Sequence, residues 1–487
     1  MMIPSAARTV AFVALLLSGV ASAAADDGFT RLGTEQQLNT FTFGPQKTPA
    51  VAWLGGTRFA VVWSSPLQAS SQGGAIVARL VENGLPISGE ILVAEGTPGP
   101  PFESVDEPDV AAAADGSFVV SWQVRRATSP IRAVSYRRFA SSGAPTGGAI
   151  VVDRSQTNEF PRIASDAAGN LVLVWEGEDG AGLGIVARRF DLQDTSMGGT
   201  FVVNAYVTGS QQAPAVAATP DGGFRVAWYD FSRLGDGDLF SRLFDATGQP
   251  VGDDVQLNEL TAGVQAEPAL AIATDGKFVA TWSSFTGTAD LHDIRGRAFA
   301  ADGSPLGSEF AVNAFTPGDQ TQPRLAIEGT DAALFVWQSA AAGHIGIFGR
   351  LFDLTGRPQG DEQQVDSFGL GRLTSPSVAS NAAGTFLAAW DSYEQDGSVE
   401  GIFARGLERR RATVEVPALG YPALIALAVL LALAALRAQR SSRLRLAIPD
   451  LTPTPAPRET GRSAASRPTS PAPPGYESPP PGRSSVP

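Results

Sequence analysis

The chain has 487 residues, of which 43% are hydrophobic, and it carries a formal net charge of −13 with no cysteine. The lack of cysteine excludes disulfides and thiolate chemistry, and the acidic balance argues against nucleic-acid binding because phosphates would be repelled. The 53 glycines and 35 prolines show no collagen-like period and favour many short strands joined by turns.

Residues 1–25 have the pattern of a secretory signal peptide. Arg8 gives a basic start, the apolar run Val10–Leu17 follows, and residues 21–23 read Ala-Ser-Ala, a cleavage site of the usual form. An uncleaved N-terminal anchor is the alternative interpretation. The pattern predicts export, with the following domain in the periplasm or at the cell surface.

Residues 26–411 contain seven copies of one pattern, a short apolar run that ends in tryptophan. These tryptophans, spaced by 53 to 59 residues, are Trp63, Trp122, Trp175, Trp228, Trp282, Trp337 and Trp390. A proline-led strand and a tight turn precede each run, and two further strands follow it. Four short strands in each copy are typical of a β-propeller blade.

The strands that end in tryptophan are apolar on both faces. In the fourth copy, Phe224, Val226 and Trp228 share one face, and the alternate positions of its counterparts are mostly small and apolar. Such a strand must be covered on both sides, as it is between two neighbouring blades. We therefore predict an all-β fold, a seven-bladed β-propeller of four-stranded antiparallel blades.

The repeat has the form DG-x-F-V-V-x-W, then I-x-x-R-x-F-D-x-x-G-x-P-x-G-x-E-x-x-V-N. It resembles a repeat of large secreted and surface proteins of bacteria, and the resemblance covers nearly all of residues 29–407. The resemblance implies a propeller fold and an exterior location, and it implies no reaction.

The seventh copy lacks a fourth strand of its own. The segment Glu35–Asn39, at the other end of the domain, reads like the fourth strand Glu362–Asp366 of the sixth copy. We therefore predict that residues 29–39 pair with residues 401–407 and complete the seventh blade, which leaves no unpaired inner edge.

An arginine recurs in the third strand of every copy. In five copies a phenylalanine follows two positions later on the same strand face, as at Arg242 and Phe244. Because a catalytic residue is not repeated seven-fold, we predict a structural role. The arginine stem would lie on the ring, and the guanidinium would pair with an acid of a neighbouring blade.

Four loop aspartates are candidate metal ligands, namely Asp236, Asp238, Asp290 and Asp293. Oxygen ligands beside glycines suit calcium, and the last two lie near His292, with His344 in the equivalent loop of the next copy. Ordinary turn chemistry of Asp and Gly is the alternative interpretation, since no twelve-residue calcium loop is present. The sequence predicts no cofactor, with calcium left open.

The C-terminal part has a different composition. Residues 416–437 are predicted to be one transmembrane or sorting helix, because the apolar run from Ala418 to Leu436 contains no charge and is about long enough to cross a bilayer. Residues 438–487 are rich in Pro, Ser and Arg and are predicted to be disordered. The run, with Val416-Pro417-Ala418-Leu419-Gly420 before it and arginines after it, resembles the IPTL-type sorting segments associated with exosortases in Gram-negative bacteria.

No nucleophile elbow, zinc-protease helix, phosphate loop or Rossmann fingerprint is present, so no catalytic residue is predicted. Three functions remain. The first is a membrane-anchored binding or scaffolding module of the cell envelope for a protein or glycan ligand. The second is a calcium-stabilised structural surface protein. The third is a glycan-acting hydrolase or lyase with its site in the propeller channel.

Overall fold

The computed structural model describes residues 28–68, 73–97, 103–126, 129–233, 237–285, 291–341, 344–369 and 371–411, with residues 429, 432–434 and 436–437. It divides into two units, residues 1–413 and residues 414–487. The described residues of the first unit form strands and turns, and those of the second are helical.

The strands are numbered in chain order. Those of the first half are β1 (Gly28–Gln37), β2 (Lys47–Gly55), β3 (Arg58–Ser65), β4 (Ala75–Glu82), β5 (Leu85–Pro86), β6 (Ile91–Glu95), β7 (Glu103–Ala112), β8 (Phe118–Arg126), β9 (Ser129–Phe139), β10 (Ile150–Ser155), β11 (Glu159–Ser165), β12 (Leu171–Glu178), β13 (Leu183–Phe190) and β14 (Phe201–Val202). Those of the second half are β15 (Gln211–Ala218), β16 (Phe224–Asp230), β17 (Asp238–Phe244), β18 (Pro250–Gln256), β19 (Val264–Ile272), β20 (Phe278–Phe285), β21 (His292–Phe299), β22 (Phe310–Ala311), β23 (Asp319–Glu328), β24 (Ala332–Ala341), β25 (His344–Asp353), β26 (Gln363–Gln364), β27 (Leu373–Ser380), β28 (Thr385–Tyr393) and β29 (Glu400–Arg410).

These strands form seven antiparallel sheets, and the predicted seven-bladed propeller of four-stranded blades is confirmed. Blades 1 to 6 are β2–β6, β7–β10, β11–β14, β15–β18, β19–β22 and β23–β26, and the outermost strand of blade 1 is split into β5 and β6. The first strand of every blade contacts the first strands of the two adjacent blades. The seven first strands therefore form the inner ring.

Blade 7 is built from both ends of the domain. Strands β27, β28 and β29 come from the C-terminal side, and β1 pairs antiparallel with β29 from Gly28↔Arg410 to Gln37↔Phe403. The Leu38 amide extends this pairing by donating to the Ile402 carbonyl at 2.7 Å. The predicted closure by the N-terminal strand is confirmed, and β1, the outermost strand of blade 7, covers the edge of β29.

The hydrophobic core is divided among the interfaces between blades. The buried clusters of the described chain each join residues of two adjacent blades, one cluster for each of the seven interfaces. Each repeated tryptophan packs in the cluster shared with the preceding blade, and six of the seven are 0% exposed. The second strands are therefore buried on both faces, as their composition predicts.

The third-strand arginine joins adjacent blades, but its partner differs from the predicted one. Its stem lies beside the phenylalanine ring as expected, with guanidinium-to-ring distances of 5.5–5.8 Å in five blades. Its Nη1, however, donates to a backbone carbonyl at the end of the preceding blade's outer strand, at 2.5–3.4 Å. The seven pairs are Arg79–Leu38, Arg137–Val93, Arg188–Val152, Arg242–Val203, Arg297–Leu257, Arg350–Val312 and Arg405–Val365.

The prediction that the guanidinium pairs mainly with an acid of a neighbouring blade is wrong. Among the described residues, Arg242, Arg297 and Arg405 have a carboxylate oxygen within 4.0 Å. Only that of Arg297 belongs to a neighbouring blade, Glu259 at 3.8 Å. A carbonyl oxygen is present at every blade end whatever the side chain, so it can serve all seven blades where an acid cannot.

Predicted segments 1–25, 438–487 and most of 416–437 lie outside the described residues. Within the described part of the chain, no helix has the length and apolar character needed to cross a membrane.

Candidate functional site in the central channel

The inner ring encloses a cavity of 690 Å³ that is lined by the first strands of all seven blades. Its wall is formed by the middle of these strands, where each has the order residue, proline, residue, apolar residue. A cavity of this size matches the range that holds small molecules or short oligomers. The channel is therefore the candidate functional site.

Each first strand has a bulge at the residue before its proline. This residue, named here the bulge residue, has φ between 50° and 57° in every blade, although none is glycine: Thr48, Glu107, Phe160, Ala213, Glu267, Gln322 and Ser375. The pairing register with the second strand shifts at the same point. A left-handed conformation costs free energy for a residue with a Cβ, so the surrounding structure must hold it.

Hydrogen bonds from neighbouring blades hold several of these bulges. The Ala213 amide donates to Glu176 Oε1 at 2.8 Å, and the Gln322 amide donates to Glu267 Oε2 at 2.8 Å. The Ser375 amide donates to Gln322 Oε1 at 2.7 Å. These carboxylate and amide oxygens are therefore part of the channel wall.

The residue after each proline is named here the lumen residue, and the seven are Ala50, Asp109, Arg162, Ala215, Ala269, Arg324 and Ser377. Two of them also link blades, because Asp109 Oδ2 accepts the Ile163 amide at 2.9 Å and Ser377 Oγ accepts the Val51 amide at 3.1 Å. The two arginines do not, because a guanidinium has no acceptor atom.

Burial shifts the ionisation of several channel groups. It raises the pKa of Asp109, although Arg162 and two backbone amides oppose this effect. It raises the pKa of Glu176, with the Ala213 amide opposing. The pKa of Arg324 is lowered by burial and by repulsion from Arg162. The channel thus combines acids whose pKa is raised with two arginines that repel each other.

Three aromatic side chains, Phe160, Tyr229 and Phe231, also line the cavity. The rings of Tyr229 and Phe231 meet edge to face at a centroid distance of 4.1 Å. Phe231 is 46% exposed, whereas Tyr229 is buried. Apolar ring faces are therefore available beside the charged groups.

A smaller pocket of 210 Å³ lies at the seam between blades 7 and 1. Lys47 Nζ lies 3.4 Å from Glu400 Oε2 there. Burial raises the pKa of the neighbouring Asp391, whose carboxylate also accepts a hydrogen bond from Thr374. Thr48 and Ser375 line both this pocket and the channel, so the two spaces share part of their walls.

The structure describes two of the four aspartates proposed as metal ligands. Asp238 and Asp293 begin or lie near the start of the third strands of blades 4 and 5, and each accepts a hydrogen bond from an asparagine of its own blade, Asn258 and Asn313. Asp236 and Asp290 lie outside the described residues. Among the residues described, no group of three or more His, Asp or Glu side chains is placed to hold a metal.

The two histidines are the first residues of third strands rather than loop residues. His292 Nδ1 lies 2.9 Å from Asp319 Oδ1, the first residue of blade 6, and the ring of His292 packs near Phe285. The side chain of His344 lies outside the described set, so a shared metal site of the two histidines stays a prediction.

The sequence analysis missed the charged channel residues Glu107, Asp109, Arg162, Glu267 and Arg324. Their signal is present in the sequence, because aligning the seven copies on the proline of the first strand places all five in the two flanking columns. Other blades have small or uncharged residues in those columns. The third-strand arginine recurs in every copy and joins blades, whereas the candidate site in the channel is formed by the positions at which the copies differ.

No protein-family model matches the chain, and no curated protein matches it. Several solved structures are similar in fold. A polysaccharide lyase is 10% identical, covers 78% of this chain and 100% of its own, and has a TM-score of 0.47. The β-propeller domain of the Trilobed protease from Pyrococcus furiosus, described as having an open velcro topology, is 9% identical, covers 78% and 99%, and has a TM-score of 0.46.

An α-L-arabinanase from Penicillium chrysogenum is 12% identical, covers 67% of this chain and 99% of its own, and has a TM-score of 0.45. Glycan-acting enzymes are thus among the structural neighbours. At these identities and TM-scores, the chemistry of the channel has to be judged from its own residues.

Proposed function

We propose that this protein is a membrane-anchored β-propeller of the bacterial cell envelope that acts as a binding module, with its ligand site in the central channel. The observation that carries the proposal is the departure of the channel columns from the repeat. Residues common to all blades bind neighbouring blades, whereas the charged residues Glu107, Arg162 and Arg324 line the cavity without a repeat-wide structural role.

The location rests on the terminal segments. Residues 1–25 support export, residues 416–437 support a membrane anchor or an exosortase-associated sorting segment, and residues 438–487 support a disordered cytoplasmic tail. The partner is a protein or a glycan of the envelope, and nucleic acid is not part of the proposal, because a long phosphate backbone would have to lie along a protein of net charge −13.

Reporter fusions test the location. A reporter fused after Pro487 should be active in the cytoplasm, and one inserted at the exposed turn residue Thr247 should be active only outside. The opposite pattern of activity contradicts the proposed topology.

Capture experiments test the channel as the binding site. The full chain in detergent is immobilised and exposed to envelope extract and to a glycan panel. Ala215→Trp, which fills the channel at a lumen residue, should abolish capture, whereas Leu306→Trp on the outer surface of blade 5 should not. Equal capture by both variants places binding elsewhere on the disk.

A second candidate function is glycan cleavage, because the channel holds carboxyl groups whose pKa is raised by burial, Asp109 and Glu176. A raised pKa is a property of the carboxyl groups that act as general acids in glycan-cleaving enzymes. Incubation with acidic and neutral polysaccharides, followed by assays for new reducing ends and unsaturated products, tests this function. An activity that Asp109→Asn abolishes supports glycan cleavage in the channel. If no polysaccharide gives a product, binding is the one function that remains proposed.

A further inference from the structure

Arg162 and Arg324 are equivalent lumen residues of blades 3 and 6, on opposite sides of the seven-bladed ring. Each places one guanidinium donor on its own backbone, since Nη1 donates to the carbonyl of the preceding proline at 2.9 Å and 2.8 Å. Both side chains are half-buried and line the cavity. Fixing one donor orients the guanidinium plane and leaves its other N–H groups for a ligand.

Neither guanidinium has a carboxylate oxygen within 4.0 Å in the described part of the chain. Two of the nearby acids bind backbone amides instead. Asp109 accepts the amides of Val110 and Ile163 at 2.9 Å each, and Glu267 accepts the Gln322 amide and the Ser283 hydroxyl through one oxygen. Asp109 and Glu267 therefore join blades, and the arginines are left to face the cavity, which Glu107 also lines.

Two like charges that face the same cavity repel each other, and this repulsion costs folding free energy. Burial and repulsion from Arg162 lower the pKa of Arg324, while the charges of Glu267, Asp109 and Glu107 oppose the shift. An unpaired buried charge is costly unless a partner of opposite charge offsets it. An anion placed between the two arginines would supply that partner and relieve the repulsion.

We propose that Arg162 and Arg324 bind the carboxylate groups of an acidic saccharide, a glycan that contains uronic acid, in the channel. The inference rests on the proposed binding function and names its ligand class. A guanidinium pairs with a planar carboxylate through two parallel hydrogen bonds, which a neutral sugar cannot offer.

The remaining surroundings favour a sugar over a small free carboxylate. Phe160 precedes Arg162 by two residues in the same bulge, and Phe231 lies exposed at the cavity, so ring faces flank the cationic site. Gln212 and Gln322 line the cavity and offer groups that bind sugar hydroxyls. A volume of 690 Å³ accommodates several sugar units, far more than a lone carboxylate needs.

Isothermal titration of the full chain in detergent tests the proposal, with trigalacturonic acid as the probe. Its fully methyl-esterified form keeps the sugar and removes the charge, and citrate supplies carboxylates without a sugar. We expect trigalacturonic acid to bind, and Arg162→Gln and Arg324→Gln each to weaken binding by about ten-fold or more. Arg357→Gln, an exposed arginine on the outer part of blade 6, is the matched control and should leave the affinity unchanged.

Thermal melting shows whether the variants are folded. Because each substitution removes one of two repelling charges, the melting temperature of Arg324→Gln should stay constant or rise. Arg324→Lys keeps the charge and loses the planar pairing, so it should bind weakly with an unchanged fold. If Arg324→Gln unfolds, the affinity of Arg324→Lys for trigalacturonic acid tests the proposal in its place.

The proposal is overturned if trigalacturonic acid does not bind the wild-type chain, if its ester binds equally well, or if the arginine variants retain full affinity. Tighter binding of citrate overturns the assignment to a saccharide. Capture of an envelope ligand that Ala215→Trp blocks but trigalacturonic acid does not compete for keeps the binding function and rejects this ligand class.

Discussion

In four of the seven blades, the buried tryptophan donates a hydrogen bond to an acceptor 17 residues earlier in the chain. These are blades 1, 3, 5 and 6, in which the indole Nε1 donates to a Gln or Asn side chain in the first strand or immediately before it, at 3.0–3.2 Å. In blade 7 that position is Leu373, and the Nε1 of Trp390 is buried without a partner in the described structure. The tryptophan thus contributes packing in every blade and hydrogen bonding in only some.

Gln265→Leu tests the value of this hydrogen bond in blade 5. The substitution keeps the volume but leaves the Nε1 of Trp282 buried without an acceptor, so it should cost about 1–3 kcal/mol of unfolding free energy. Urea denaturation measures the change. The exposed turn residue Gln249 is the control, since Gln249→Leu should have little effect, and equal losses for the two variants contradict the role of the bond.

Asp106 makes stability depend on pH. Burial raises its pKa from 3.8 to about 6, although Arg125, at 3.4 Å, opposes the shift. The folded protein therefore keeps a proton that the unfolded chain has released, so the free energy of unfolding falls as pH rises from about 4 to about 6 and stays lower above.

Asp106→Asn removes this ionisation. At pH 7.5 the variant should be more stable than the wild type by about 1–2 kcal/mol, a value reduced for partial exposure, and the gain should shrink below pH 4. Urea denaturation at the two pH values measures it. Asp302→Asn is the control and should change the free energy of unfolding in the opposite direction at pH 7.5, because the Ser304 hydroxyl lowers the pKa of Asp302 and favours its charged form. A gain for Asp106→Asn that does not depend on pH contradicts the explanation.

Strand β1 closes the ring, and its loss should open the molecule. Phe29 of β1 is 1% exposed within the cluster between blades 6 and 7, and the Asn39 side chain accepts the Ile402 amide at 2.8 Å. Deleting residues 28–39 while keeping residues 1–27 should expose the edge of β29, lower the melting temperature and promote aggregation.

Light scattering and thermal melting measure these effects. Thr30→Ala, at an exposed position of the same strand, is the control and should leave both unchanged. A deletion variant that stays monodisperse with the wild-type melting temperature shows that β1 does not hold the ring closed.

The strands and their closure were predictable because burial on two faces leaves a direct signature in the sequence. Trp228 and its counterparts mark the second strands, and Glu35–Asn39 matches a fourth strand. The partner of the repeated arginine was not predictable, because the acceptor is a backbone carbonyl and every residue has one. The bulges were also missed, since a left-handed residue before proline has no characteristic side chain.

The whole domain is a closed ring in which every blade has two neighbours. A linear repeat array needs specialised terminal units to cover its ends, whereas here β1 and β29 make both ends part of one blade. The third-strand arginines and the interface clusters repeat at all seven junctions. Unfolding should therefore be a single cooperative transition of the propeller.

Calcium removal should have little effect on this transition. The carboxylates of Asp238 and Asp293 already bind Asn258 and Asn313. We expect EDTA to leave the melting temperature of the full chain unchanged, and added calcium to leave it unchanged as well. A marked fall with EDTA that calcium reverses supports the calcium-stabilised alternative, with magnesium as the control ion.

The candidate site was less predictable than the ring because it depends on which blades face one another. Arg162 and Arg324 are 162 residues apart in sequence, and only a closed ring brings both to the same cavity. The role of Asp109 was not predictable for a different reason. Its carboxylate accepts two backbone amides, and the sequence does not show which amides lie near a given acid.

The seven bulges have a consequence for how this scaffold can diversify. The same φ is adopted by Thr, Glu, Phe, Ala, Gln and Ser, so the backbone geometry does not depend on the side chain that projects there. A mutation at a bulge residue whose side chain does not hold the next bulge, such as Phe160 or Ala213, should therefore change the chemistry of the cavity and leave the strand as it is. Glu267 and Gln322 differ, because their side chains accept the amides of the next bulges. A combinatorial library at the bulge residues that hold no neighbouring bulge would therefore sample new binding specificities on the same backbone.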